Sequence, residues 1–283
     1  VSRTIPQRRS PRTEYSRMRS TGRSWIKMQT FSDNETKLAF FNACERARTY
    51  VPGNGIGTLR EKQLHSAIKF FIDENPAHHE VKVGRSVADV KNERGIFEVQ
   101  TGAFGVMRKK LSLFLADNEV TIVHPVANRK RLFRMDENTG EVSSPRLSPK
   151  RGNSFDIFSE LYSLSELAWN DNLHILVLFI DMDEYRLLGE RRIGGRKSRK
   201  GYTRFDRLPV EFERAEYFAS PKDYLDLLPD SLPEVFTSRD LAETAKIRLD
   251  TAQTALTVLS RMGAAEQVGR SGRYKAYSIA RKG

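Results

Sequence analysis

A single cysteine, Cys44, excludes an intrachain disulfide and a cysteine-ligated zinc site, and its apolar neighbours place it in a core. Long hydrophobic runs are missing too. The longest, Leu173 to Met182, is too short to span a bilayer and is broken by His174 and Asp181. No hydrophobic signal segment follows the Arg-rich N-terminus. These absences predict a soluble, cytoplasmic protein with no membrane partner. The five histidines form no zinc motif, because His78-His79-Glu80 lacks the i, i+4 pair on a helix. Gly53-Asn54-Gly55-Ile56-Gly57 lacks the preceding strand and the Lys-Ser/Thr that a P-loop needs.

Positive charge is plentiful, and it is concentrated. The chain carries a formal net charge of +12, of which +7 falls in residues 1–57, −2 in 58–185, +7 in 186–208 and 0 in 209–283. A basic arm and a basic connector suit a polyanion backbone. Neither has the apolar face that an anionic membrane would require. DNA is therefore the expected partner, with nucleoid association, and Arg191, Arg192, Arg196, Lys197, Arg199 and Lys200 are the expected phosphate contacts of the connector.

Periodicity divides the chain the same way. Residues 1–57 read as a basic arm followed by a helix over Glu35–Arg48 with Leu38, Phe41, Ala43 and Cys44 inward. Residues 58–185 read as a mixed sheet flanked by helices, an α/β domain. Its first helix, Thr58–Phe71, has a capping-box pattern, with Glu61 on the stripe of Leu64, His65, Ile68 and Ile72. Strands follow at Val81–Val83, Val120–Val126 and His174–Ile180, helices at Phe104–Ala116 and Phe155–Leu161, and a hairpin at Arg131–Met135 with Glu141–Ser144. The basic loop Ser148–Gly152 suits either a phosphate contact or a solvated turn. Residues 186–208, with four glycines, read as a flexible linker.

Residues 209–283 contain three helical stretches, Pro221–Leu228, Thr237–Ala245 and Leu249–Met262. Two strands then surround Gly269-Arg270-Ser271-Gly272-Arg273. That is the pattern of a small winged helix-turn-helix domain. Arg248 and Gln253 on its third helix, and Arg270, Arg273 and Lys275 on its hairpin, are the expected DNA contacts. The zero net charge equally suits docking to a protein partner.

The most informative stretch is Val87 to Thr101, two short strands joined by a polar turn at Asn92–Gly95. Pairing Lys91 with Ile96 sets Asp89 opposite Glu98. Alternation puts Ala88, Val90, Phe97 and Val99 on one face and Asp89, Glu98 and Gln100 on the other. Two facing carboxylates repel. Either a divalent cation lies between them, or Lys82, Arg85 or Lys91 neutralises an exposed hairpin.

Glu61, Asp89 and Glu98-Val99-Gln100, in this order of elements, resemble the PD-(D/E)XK nuclease superfamily over residues 58–126, with 181 as the outer limit. The resemblance implies a restriction-endonuclease-like core and a Mg2+- or Mn2+-dependent DNA endonuclease. In it Asp89, Glu98 and the Val99 carbonyl would bind the metal, and Glu61 would support them from the helix. The family usually has Lys where Gln100 stands; some members carry Gln, as a water-positioning group, and others bring a lysine from the next helix. Lys109 and Lys110 lie on such a helix, where a solvated face is the plain alternative. A rival reading makes the chain a non-catalytic DNA-binding or regulatory protein on a degenerate nuclease fold. The oligomeric state is not legible.

Overall fold

The computed structural model describes residues 30–31, 33–50, 63–136, 138–188, 192–193, 196–197 and 202–279, with backbone alone at 30–31, 188, 192–193 and 196–197. Segments rich in β-branched and aromatic residues supply the strands. They are β1 (Thr30–Phe31), β2 (His79–Val83), β3 (Ser86–Asn92), β4 (Gly95–Val99), β5 (Val120–Asp136), β6 (Arg146–Leu147), β7 (Leu173–Leu188), β8 (Arg192–Ile193), β9 (Arg196–Lys197) and β10 (Tyr202–Phe218). Strands β8 and β9 pair with each other; the rest form one eight-stranded sheet in the order β1-β10-β7-β5-β4-β3-β2, with β6 against the outer part of β5. The pairs β4–β5 and β5–β7 are parallel and the others antiparallel, which makes the α/β sheet a mixed one.

Helices cover both faces. Helix α1 (Asn34–Thr49) and helix α2 (Gln63–Ile72) bury Phe40, Ala43, Cys44, Leu64 and Ile68 against Val90, Phe97, Val123, Leu178 and Phe212. Helix α3 (Arg108–Phe114) and helix α4 (Ile157–Leu164) bury Leu111, Phe114, Phe158 and Leu161 against Ile96, Ile122, Ile175 and Phe179 on the opposite face. On α1 the inward stripe is Phe40, Ala43, Cys44 and Ala47, while Leu38 and Phe41 point outward, 60% and 57% exposed. The expected set was rotated because the 40/43/44/47 spacing is the complete helical repeat.

Three further elements differ from expectation. Strand β5 is one element where a strand and a hairpin were expected, and Met135 meets Val142 only in an isolated bridge. Strands β7 and β10 pair from Leu188–Tyr202 down to Ile175–Phe218, so the described part of residues 186–208 is not a free linker and residues 209–218 belong to the main sheet. The Gly-rich composition is confined to the connection between them. The C-terminal unit therefore begins near residue 219, with the short 3-10 turn Asp223–Leu227 where a helix was expected.

That unit contains β11 (Val235–Thr237), helix α5 (Ser238–Thr244), helix α6 (Leu249–Arg261), β12 (Glu266–Ser271) and β13 (Tyr274–Ser278), with sheet order β11-β13-β12. Thr237 and Asp240 form a capping box that starts α5. The unit is not tethered at a distance. Phe218 stacks on Tyr224 at 4.5 Å, Tyr224 meets Phe158 at 5.8 Å, and Arg261 lies 5.0 Å over the Tyr162 ring. One apolar core runs from α4 into Ala252, Ala255 and Leu256 of α6.

The β3–β4 turn depends on one glycine. Gly95 has φ +112°, and a Cβ there would lie 2.6 Å from the Glu119 carbonyl oxygen of the main chain. Gly95→Ala is expected to destabilise the fold by about 2 kcal/mol or more, since both the backbone and the contact are strained. Thermal denaturation checks this, and an unchanged melting temperature would contradict it.

Candidate functional site

Strand β4 is a central strand on which Glu98 alternates with Phe97 and Val99. Phe97 and Val99 pack toward α1 and α2, and Glu98 points to the α3 face. The β3–β4 register is the expected one, with Asn92 on Gly95, Lys91 on Ile96 and Val90 on Phe97, and the ladder ends there. Beyond it the strands part, and two acidic side chains fill the opening. The Asp89 N–H donates to Glu98 Oε1 at 3.2 Å, and the Val99 N–H donates to Asp89 Oδ2 at 2.8 Å. The irregularity also breaks the expected alternation, since Ala88 packs in the α3–α4 core while Val90 packs in the other.

A lysine and a histidine converge on these acids from the helices. Lys110 of α3 places Nζ 2.6 Å from Glu98 Oε2, and His65 of α2 places Nε2 3.2 Å from Asp89 Oδ2. The partners of the two acids are therefore Lys110 and His65, and not Lys82, Arg85 or Lys91. One helical turn beyond His65, the buried Lys69 pairs with Glu80 at 2.7 Å. Burial and the neighbouring Asp89 push the Glu98 carboxyl up to about 7, against a partial pull from Lys110. Burial works against the Asp89 charge as well, but His65, Lys110 and the Val99 N–H outweigh it and hold this carboxyl below the usual range.

Because the folded Glu98 holds its proton to a higher pH than the unfolded chain, the sign of its contribution is fixed. Metal-free stability should fall as pH rises from about 4.5 to about 7. Glu98→Gln removes the buried charge, so it should stabilise the metal-free protein at pH 8 by about 1–3 kcal/mol and give no gain at pH 4. Urea denaturation at the two pH values tests this; an equal effect at both would refute it.

Of the other expected site residues, Gln100 is diverted. Its Nε2 donates to the Ala103 carbonyl at 2.7 Å, and its own carbonyl accepts from His124 Nδ1 at 2.7 Å. Pro125 explains that second contact: it has no N–H for the parallel ladder, so the preceding imidazole donates instead. Lys109 is exposed, away from the acids, and Glu61 lies outside the described residues. The Val99 carbonyl lies past the last β3–β4 rung. Among the described residues no three His, Cys, Asp or Glu side chains form a metal-holding group. His65 was not anticipated as an acid partner, although it sits four residues after Glu61 on the same stripe.

Of the expected DNA contacts, Arg191, Arg199 and Lys200 lie outside the described residues, while Arg192, Arg196 and Lys197 have described backbone in β8 and β9. In the C-terminal unit Gln253 is exposed, and Arg248 pairs with Asp250 at 2.7 Å. Thr254 and Thr257 turn their hydroxyls back onto helix carbonyls. Arg270 and Lys275 are exposed, and Arg273 donates to the Tyr274 hydroxyl.

A family model described as a domain of unknown function (DUF8091) matches residues 62–219. The chain belongs to this family. The DUF8091 match runs from the start of α2 to the end of β10, so it holds the acid pair, Lys110 and His65, and it stops where the C-terminal unit begins. An uncharacterized protein of Treponema pallidum (strain Nichols) is 31% identical over 226 residues, covering 78% of this chain and 86% of its own. No solved structure matches. No helix among the described residues is long and apolar enough to cross a membrane.

Proposed function

We propose that this DUF8091 protein is a metal-dependent DNA endonuclease of the PD-(D/E)XK type with a winged-helix module at its C-terminus. The observation that carries the reading is the meeting of Asp89, Glu98 and Lys110 where β3 parts from β4. The order of elements from α2 through β5 matches that superfamily, with the lysine moved from the position of Gln100 to α3. In the C-terminal unit, two helices ahead of an antiparallel hairpin with Arg270, Arg273 and Lys275 support the winged-helix part.

The donor set fits Mg2+ or Mn2+, since two carboxylates and the Val99 carbonyl are all hard oxygen ligands. Asp89 and Glu98 would hold the ion, with Glu61 as an added acid. Such an ion lowers the pKa of a bound water and neutralises charge on the departing oxygen. Lys110 supplies a positive charge beside the phosphate and the attacking water, the part an amide at Gln100 cannot play. His65 orients Asp89 through Oδ2.

A non-catalytic DNA-binding role on a degenerate nuclease fold is favoured by one observation. Lys110 already sits on Glu98, and a pair neutralised in this way needs no cation. Incubation of plasmid and branched DNA with Mg2+ or Mn2+, beside calorimetric metal titration, separates the two. Cleavage with metal binding supports the nuclease. Absence of both, in protein that binds DNA, supports the rival.

A further inference from the structure

Beyond the end of β4 the sheet continues as a four-stranded extension made of β6, β5 from Lys130, β7 from Met182 and β10 as far as Pro209. Partners across a ladder share a face. The register therefore gathers Lys130 and Arg134 of β5, Arg146 of β6, Arg186 of β7, and Arg204 and Arg207 of β10 on one face. Two carboxylates share it, Glu184 and Asp136, and Asp136 is turned into the following loop by the N–H groups of Asn138 and Thr139. Six cations thus face one available acid.

The local bonding leaves that excess unmet. Glu184 is divided among Lys130 Nζ at 3.2 Å, Arg186 Nη2 at 2.6 Å and Arg204 Nε at 3.5 Å. Arg207 Nε is buried with no acceptor. Arg134 and Arg146 are exposed and have no ion pair among the described residues. A buried donor without an acceptor is costly, and the exposed guanidinium groups of Arg134 and Arg146 are open to an anion laid across the face. Leu132 and Met182 on this face are buried.

This face is the α1–α2 side of the sheet, since Met182 packs in that core, whereas Glu98 points to the α3 side. Strands β5 and β7 run parallel to β4, so the extension leaves from the end of the sheet to which β4 delivers Glu98 and Val99. Val123 pairs with Val99, and Lys130 lies seven residues further on. At a rise of about 3.3 Å per residue that is roughly 23 Å, or about seven base pairs of duplex.

We infer that the β5–β6–β7–β10 face, on the α1–α2 side of the sheet, is a track for the phosphate backbone of duplex DNA. The inference rests on the nuclease reading for its substrate, and on the charge pattern for its position. In the sequence, the segment that joins β7 to β10 adds Arg192, Arg196 and Lys197.

The test uses the full chain, with a duplex of about 30 base pairs, fluorescence anisotropy and EDTA to prevent cleavage. Arg134→Gln/Arg146→Gln/Arg204→Gln is compared with wild type. The triple variant should bind at least about tenfold more weakly at about 0.1 M salt, and its salt dependence should be flatter by about two to three units. Unchanged affinity and slope in the triple variant would overturn the track, as would tighter binding of RNA or of phosphatidylserine vesicles than of duplex. If the triple variant melts early, Arg134→Gln/Arg146→Gln decides, because neither residue has an ion pair to lose. Duplex binding that depends on the track, without cleavage in Mg2+ or Mn2+, leaves the track standing and removes the nuclease. Cleavage with an unchanged KM in the triple variant does the reverse.

Discussion

Glu98→Ala is expected to abolish Mg2+- or Mn2+-dependent cleavage. Losing a partner that merely orients a metal ligand costs 10–100-fold, so losing a carboxylate ligand itself should exceed about a thousandfold. Lys110→Ala should cost less, about a hundredfold, because it removes charge from the phosphate side only. Gln100→Ala should stay within about threefold of wild type, since that amide is already bonded to the Ala103 carbonyl. Rates on supercoiled plasmid separate the three. A Glu98→Ala protein that cuts as fast as wild type would end the nuclease reading, and a Gln100→Ala protein as dead as Glu98→Ala would return the amide to the site.

The second large effect concerns folding. Phe158 is fully buried on α4 between Phe155 and Tyr224, so it belongs at once to the sheet's core and to the C-terminal unit. Phe158→Ala should destabilise the protein by about 3–5 kcal/mol, the range for a large aromatic cavity. The loss should appear in a single transition, because sheet and unit share that core. Two separated transitions, only one of them shifted, would mean that the C-terminal unit folds by itself.

The hairpin at 87–101 was legible because a two-residue turn and period-two alternation fix register within a few residues, and its register was read correctly from Asn92–Gly95 to Val90–Phe97. What alternation could not convey is the parting of the strands beyond that rung, which depends on where the Asp89 and Glu98 oxygens find donors. Lys110 was named among the lysines within reach, but choosing it over Lys109 required the rotation of α3, and that is set by Leu111 and Phe114 in the core. The expected linker failed for a different reason. Residues 202–218 are dense in charge because much of that strand lies along an edge or in the basic extension, and solvated strands lose the hydrophobic pattern that identifies them. The sequence boundary at 208 therefore cut through a strand.

Strand β10 has one more consequence, for whether the protein meets copies of itself. Of the described residues only Thr30 and Phe31 pair with its outer edge, at Glu216 and Ala215, so the row of main-chain donors and acceptors before them has no strand partner among the described residues. Such a row invites a strand from another molecule. Here it is irregular: the register shifts between Arg204 and Asp206, between Pro209 and Glu211, and between Phe212 and Arg214. The longest regular stretch clear of β1, residues 206–209, ends in a proline that has no N–H to offer. An approaching copy would find fewer than five aligned residues before the hydrogen-bonding pattern broke. The register shifts of β10 thus give an incoming strand little regular edge to join.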